Sequence, residues 1–234
     1  MRRYVGVLVF LAYTAAAAIE ASADDAPSQT APAAQGADAP LPVYKPPLRG
    51  APGGRIGGAS RSAVRPATPL PIVELLAPAD HAGLTSIAEP VLYFFVSRPV
   101  SWPTQFTISA PQQPAPVLEV TIPTPQAAGF YPLRLSDYSV RLRPGIVYSW
   151  SVSILINPKA WSRNIVATAT VVFDPTVGSN AAPLVPPLQR AARLADAGLW
   201  YDAVAAAAEI RNSDRRALDA LIQQAGLKAA AASY

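Results

Sequence analysis

The single histidine, His81, stands beside Asp80 in the turn Pro78-Ala79-Asp80-His81-Ala82-Gly83. A histidine paired with a carboxylate can titrate near neutral pH or act as a general base. Adjacent residues rarely face one another, however, and no Gly-x-Ser-x-Gly elbow presents an exposed serine nucleophile. His81 therefore reads as an exposed turn residue. Glycosidase chemistry needs two carboxylates about 5–9 Å apart. Glu74, Glu89, Glu119 and Asp137 are scattered along the chain, and nothing in the pattern pairs any two of them. Cysteine is absent, which removes a thiol nucleophile, thiolate ligands and a lipoprotein anchor. One histidine cannot supply the usual zinc set, and no Asp-x-Asp-x-Asp-Gly calcium loop occurs. The expectation is no catalytic residue, no metal and no cofactor.

Binding chemistry is more evident than catalytic chemistry. Arg49, Arg55 and Arg61 lie in a block with five glycines, from Arg49 to Arg61. A phosphate loop would need Gly-Lys-Ser/Thr opening a helix, and that element is missing. The block reads as an arm that crosses the folded domain. Trp102 and Trp161 lie in loop-like sequence beside Pro103 and Ser162, which makes them candidates for exposed contact. Arg141, Arg143, Lys159 and Arg163 would form a basic rim near them, or serve as charged guards on a sheet edge. Trp150 alternates with serines and belongs to the core. Trp200 belongs to a helical hairpin.

The elements that would position these residues follow from patterning. Arg2 and Arg3 precede an apolar run from Val5 to Ala18, and Ala21-Ser22-Ala23 ends it. This is the pattern of a Sec-type signal peptide cleaved after Ala23, too short for a comfortable membrane span. Residues 1–23 are thus the expected leader, with a periplasmic or secreted mature chain and no transmembrane span after cleavage. The formal charge is +4; without Arg2, Arg3 and Glu20 it becomes +3, with 17 basic against 14 acidic residues. That balance excludes nucleic acid as the expected partner. Residues 24–70 hold nine prolines between Pro27 and Pro69 and read as a disordered or extended linker.

From 71 to 176 the sequence reads as strands separated by proline- and glycine-rich turns. The expected strands are Ile72–Leu76, Val91–Ser97, Gln105–Ser109, Val117–Ile122, Tyr131–Leu135, Ser139–Leu142, Val147–Ile156 and Asn164–Phe173. In Val147–Ile156, Tyr148, Trp150, Val152 and Ile154 alternate with Ser149, Ser151 and Ser153, which predicts one dry face and one wet face. Val91–Val96 is apolar on both faces, which predicts a central strand or one covered by the linker or tail. From 184 to 227 the chain reads as two to three helices, stopped by Gly198 and Gly226. Together these features predict an α+β protein: an antiparallel β-sandwich of immunoglobulin-like type, then a helical hairpin.

Gly198, Trp200 and Ala203 resemble the turn inside a tetratricopeptide repeat, with Tyr201 between them. About one and a half repeats would fit, so the hairpin must pack on the strands or on a partner. A wider resemblance rests on several blocks in order: Arg49-Gly50-Ala51-Pro52-Gly53, Gly83-Leu84-Thr85, Glu89-Pro90, Tyr93-Phe94-Phe95-Val96, Tyr148-Ser149-Trp150 and Gly198-Leu199-Trp200-Tyr201-Asp202-Ala203. The set resembles the bacterial family called domain of unknown function 928. That resemblance implies export and supplies no reaction. Relatives implied by it carry cysteines where this chain has Ala63 to Thr68 and Ile156-Asn157-Pro158. A bridge there would contribute about 3–5 kcal/mol in the chain-entropy model, which this chain must replace by packing. The expected function is a non-catalytic cell-envelope interaction or scaffolding module, with an envelope protein or polysaccharide as partner. The alternatives are a carbohydrate- or peptidoglycan-binding domain and an unrecognised hydrolase.

Overall fold

A computed structural model describes residues 40–47, 69–157, 159–178 and 185–232, together with the backbone of 56–58; the Trp161 side chain is not among the described groups. The expected leader and Arg49, Arg55 and Arg61 fall outside these residues. The fold is α+β, with nine strands and four C-terminal helices among the described residues.

The period-two strands form as their alternation requires. Strand β8 (Val147–Ile154) buries Tyr148, Trp150, Val152 and Ile154. Its antiparallel partner β9 (Ile165–Phe173) buries Ile165, Ala167, Ala169 and Val171. Strands β5 (Thr104–Ser109) and β6 (Leu118–Ile122) continue this sheet on the far side of β8. Two short strands share the other side of β9: β1 (Ile56–Gly58) pairs antiparallel and β3 (Gly83–Thr85) pairs parallel. The sheet is therefore six-stranded and mixed. The all-antiparallel expectation fails at β3, because that segment approaches β9 from a turn and not from a hairpin. A second sheet has the order β2-β4-β7, from Val73–Leu75, Val91–Val96 and Gly129–Arg134.

The central strand of that second sheet, β4, is buried on both faces from Leu92 to Val96, as its continuous apolar run predicts. One continuous apolar core joins the two sheets and the helices. No strand forms over Ser139–Leu142. Residues Leu135–Tyr138 make a short 3-10 turn that ends at Ser139 in the left-handed region, φ 56°. Val140 and Leu142 still point inward, but the Leu142 N–H bonds the Ala88 carbonyl and no strand lies alongside.

The tail consists of α1 (Pro187–Asp196), α2 (Trp200–Glu209), α3 (Arg216–Gln224) and α4 (Lys228–Ala232). Gly198 ends α1 with φ +78°. The Leu199 N–H reaches back to the Leu194 carbonyl at 2.9 Å, and the Gly198 N–H reaches Ala195 at 3.0 Å. This paired closure needs a left-handed residue, which glycine adopts without a Cβ clash. Gly226 closes α3 in the same way through Leu227 and Ile222. Helix α4, which the sequence pattern does not announce, is held by Glu74 on β2. That carboxylate accepts the N–H groups of Ala229 (3.2 Å) and Ala230 (2.9 Å), two of the donors a helix start leaves unpaired. Replacing Glu74 by alanine is expected to speed amide exchange at Ala230 and to lower global stability by roughly 0.5–2 kcal/mol, as read by hydrogen exchange and urea melts.

Candidate functional site

The first turn of α2 places three polar side chains in succession against the sheets. Trp200 is buried, and its indole N–H donates to the Leu76 carbonyl at 2.8 Å. Tyr201 is buried beside it. Its hydroxyl accepts from the Trp150 indole at 2.9 Å and donates to the Thr170 carbonyl at 2.8 Å. Burial pushes the Tyr201 pKa up, so the hydroxyl keeps the proton it donates. Asp202 receives Thr85 Oγ1 at 2.5 Å, the Ser86 N–H at 2.8 Å and Ser86 Oγ at 2.6 Å. The approach is close enough that a Cβ on Gly83 would lie 2.6 Å from Tyr201 Cε2. Helix α2 is thereby joined to β3, β8 and β9 through directed bonds as well as apolar packing.

The helices also hold an extended segment of the chain, residues 40–47. Pro42 and Tyr44 turn toward the helices, while Leu41 and Val43 face outward, Val43 being 62% exposed. Gln224 on α3 reads the segment's main chain with both ends of its amide. Its Oε1 accepts the Tyr44 N–H at 2.7 Å, and its Nε2 donates to the Pro42 carbonyl at 2.9 Å. The Lys45 N–H donates to the Ala195 carbonyl at 3.1 Å, and its ammonium pairs with Asp196. Both contacts fall on the last turn of α1, where the helix dipole favours a cation. At Gly198 an added Cβ would meet the Lys45 carbonyl at 3.0 Å. The ring of Tyr44 stands edge-on to Trp200, with centroids 4.8 Å apart.

Comparison with known families assigns most of this chain. The family described as Domain of Unknown Function (DUF928) matches residues 56–233. The chain belongs to that family. No curated protein and no solved structure matches it. Four of the blocks that carry the DUF928 resemblance converge in space, while Arg49 to Gly53 lies outside the described residues. Gly83-Leu84-Thr85 and Trp150 meet the Trp200-Tyr201-Asp202 turn directly, and Tyr93 to Val96 lie in β4, against which α2 packs. In this DUF928 chain those four blocks build the joint between the strands and the helices.

The candidate residues read from sequence occupy different places. His81 departs from the exposed-turn expectation, its side chain being only 12% exposed. Its Nδ1 lies 2.7 Å from Asp80 Oδ1, and its Nε2 lies 2.7 Å from the Tyr44 hydroxyl. The turn curls enough for the neighbours to face each other, and the His81 hydrogen bond holds the Asp80 carboxyl below its ordinary range. Burial pushes the Tyr44 hydroxyl up. Trp102 is half-buried against the apolar core. Trp161 and Arg163 lie in a short 3-10 turn at the same end of the first sheet, where the Leu155 N–H meets the Pro103 carbonyl. Arg141 and Arg143 precede β8, so the length of that strand, about 25 Å, separates them from Trp102 and Trp161. The expected basic rim does not assemble; Arg141 instead approaches Glu89 at 3.7 Å. Among the described residues no cluster of His, Cys, Asp or Glu could hold a metal ion. No described helix is long and apolar enough to cross a membrane.

Sequence reasoning missed Asp202, Thr85, Tyr44 and Gln224 as partners. The first two did lie inside blocks of the family resemblance. The last two carry no signal, because an amide that reads a backbone has no pattern of its own.

Two outcomes test the joint. Tyr201→Phe orphans the buried Trp150 N–H and is expected to cost about 1–3 kcal/mol in urea unfolding. Asp202 has a pKa raised above its ordinary 3.8, because burial outweighs its three hydrogen bonds. The folded state therefore holds the proton more firmly than the unfolded chain. That contribution is complete below 3.8 and is lost as pH rises through the folded pKa. The stability of the wild type relative to Asp202→Asn should fall over that window, measured as urea midpoints across a pH series. A rise would show that the hydrogen bonds outweigh burial.

Proposed function

We propose that this DUF928 protein is an exported, non-catalytic interaction module of the cell envelope, and that its helical tail binds polypeptide in extended form. In this reading the strand region is a sandwich-like scaffold, and the Trp200-Tyr201-Asp202 joint fixes the tail upon it. The observation that carries the reading is the seating of residues 40–47 on α1 and α3 through main-chain groups. Recognition through N–H and C=O groups is open to any chain of suitable shape. Export is supported by the arginine pair, the short apolar run and Ala21-Ser22-Ala23.

The test uses cells expressing the whole chain. The exported protein should begin at Asp24 by intact mass. A photo-reactive side chain at Ala197, on the turn beside the seated segment, should give an adduct with another polypeptide, and Gln224→Ala should remove it. The same side chain at Glu119, exposed on β6, should give none. A leader retained on the chain, an Ala197 adduct indifferent to Gln224, or turnover of an envelope substrate lost in His81→Ala would each overturn the proposal.

A further inference from the structure

Resting on that reading, we infer the class of polypeptide the tail selects: a proline-flanked tyrosine–lysine segment, for which residues 40–47 are a built-in occupant that a partner's segment displaces.

Three features define the selection. The first is a seat for tyrosine. The Tyr44 ring lies edge-on to Trp200 and nearly parallel to the His81 ring, with 7° between the planes. Its hydroxyl meets His81 Nε2, and Asp80 engages the opposite ring nitrogen. Phenylalanine would fill the same space and leave the largely covered His81 Nε2 without its partner. A site built to bond a hydroxyl discriminates against the analogue that lacks it. The second is a seat for the following cation, made by Asp196 at the negative end of α1, while the neighbouring Ala195 carbonyl takes that residue's main-chain N–H. The third is tolerance of proline. Gln224 takes only the carbonyl at position 42, so the N–H that proline lacks is not required there. Proline on both sides, as at Pro42, Pro46 and Pro47, holds a segment extended before it binds and lowers the entropy lost on seating.

The occupant is held weakly enough to leave. Leu41 and Val43 face outward, and the Lys45–Asp196 pair is exposed on both sides. Exposed pairs of this kind contribute little to binding. The groove and its occupant also differ in family membership. His81, Ala195, Asp196, Gly198, Trp200 and Gln224 all lie within the matched residues 56–233, whereas residues 40–47 lie outside them. The seat thus lies inside the family match, and the segment in it lies outside.

The experiment uses the mature full-length protein and a fluorescein-labelled peptide with the sequence from Ala39 to Leu48. Tyr44→Ala weakens the built-in occupant, and Lys45→Ala does so through an exposed side chain that leaves the core untouched. Tyr44→Ala should bind the peptide about tenfold more tightly than the wild type by fluorescence anisotropy, because the competing state is depopulated, and Lys45→Ala about twofold more tightly, as its pair is exposed. Adding Gln224→Ala should reverse that gain. A peptide with phenylalanine in place of tyrosine should bind about tenfold more weakly. Equal affinity in wild type and both loosened variants, or equal affinity for the two peptides, would overturn the inference. So would a concentration-dependent dimer abolished by Tyr44→Ala, which would mean the arm seats on a second copy. Absence of peptide binding while the Ala197 adduct persists would sink this ligand class alone. Absence of both would sink the reading on which it rests.

Discussion

One phenolic hydroxyl, that of Tyr201, bonds the helical tail to two strands at once. It accepts from Trp150 on β8 and donates to Thr170 on β9, and its residue is buried. In that setting neither partner can be replaced by solvent, so each bond carries the full cost of its absence. The flanking residues extend the constraint. Trp200 bonds the chain just beyond β2, and Asp202 bonds the end of β3. Three consecutive side chains of α2 therefore register the tail against both sheets.

This joint accounts for other features of the fold. β3 contains Gly83, because a side chain there would occupy the space of the Tyr201 ring. β4 is apolar on both faces because one faces the shared core and α2 packs against the strand. The tail in turn offers the end of α1 and the amide of Gln224 to residues 40–47. A loosely docked tail could not hold these groups in register with an extended backbone, whose hydrogen-bonding geometry is narrow. Rigidity at the joint is thus a precondition for recognition at the groove.

Legibility followed the range of the interaction. The alternation in β8 and β9, the two-faced apolar run of β4 and the glycine stops at 198 and 226 are local patterns, and the structure follows them. Ser139–Leu142 shows the limit of such patterns. Val140 and Leu142 alternate inward as in a strand, yet the backbone finds Ala88 and Leu135 instead of a neighbouring ladder. His81 shows it again, since its partner Tyr44 is 37 residues away in a stretch that composition marks only as extended or disordered. Trp102, Trp161 and the arginines 141 and 143 seemed one cluster in sequence, but the length of β8 sets them at opposite ends.

By itself the sequence determined the longer strands and the first three helices, where most of the helices stop and which strand faces are dry, because these depend on side-chain period and on backbone preferences within a few residues; β1, β3, α4 and the fate of Ser139–Leu142 were not among them. Tertiary structure alone decided that β3 runs parallel to β9, that Asp202 finds Thr85 and Ser86, and that Gln224 reads the backbone at Pro42 and Tyr44. Those contacts join residues more than 80 positions apart. Their formation depends on which polar groups the folded chain brings face to face, and that is settled only when the core has closed and set the helices against the strands.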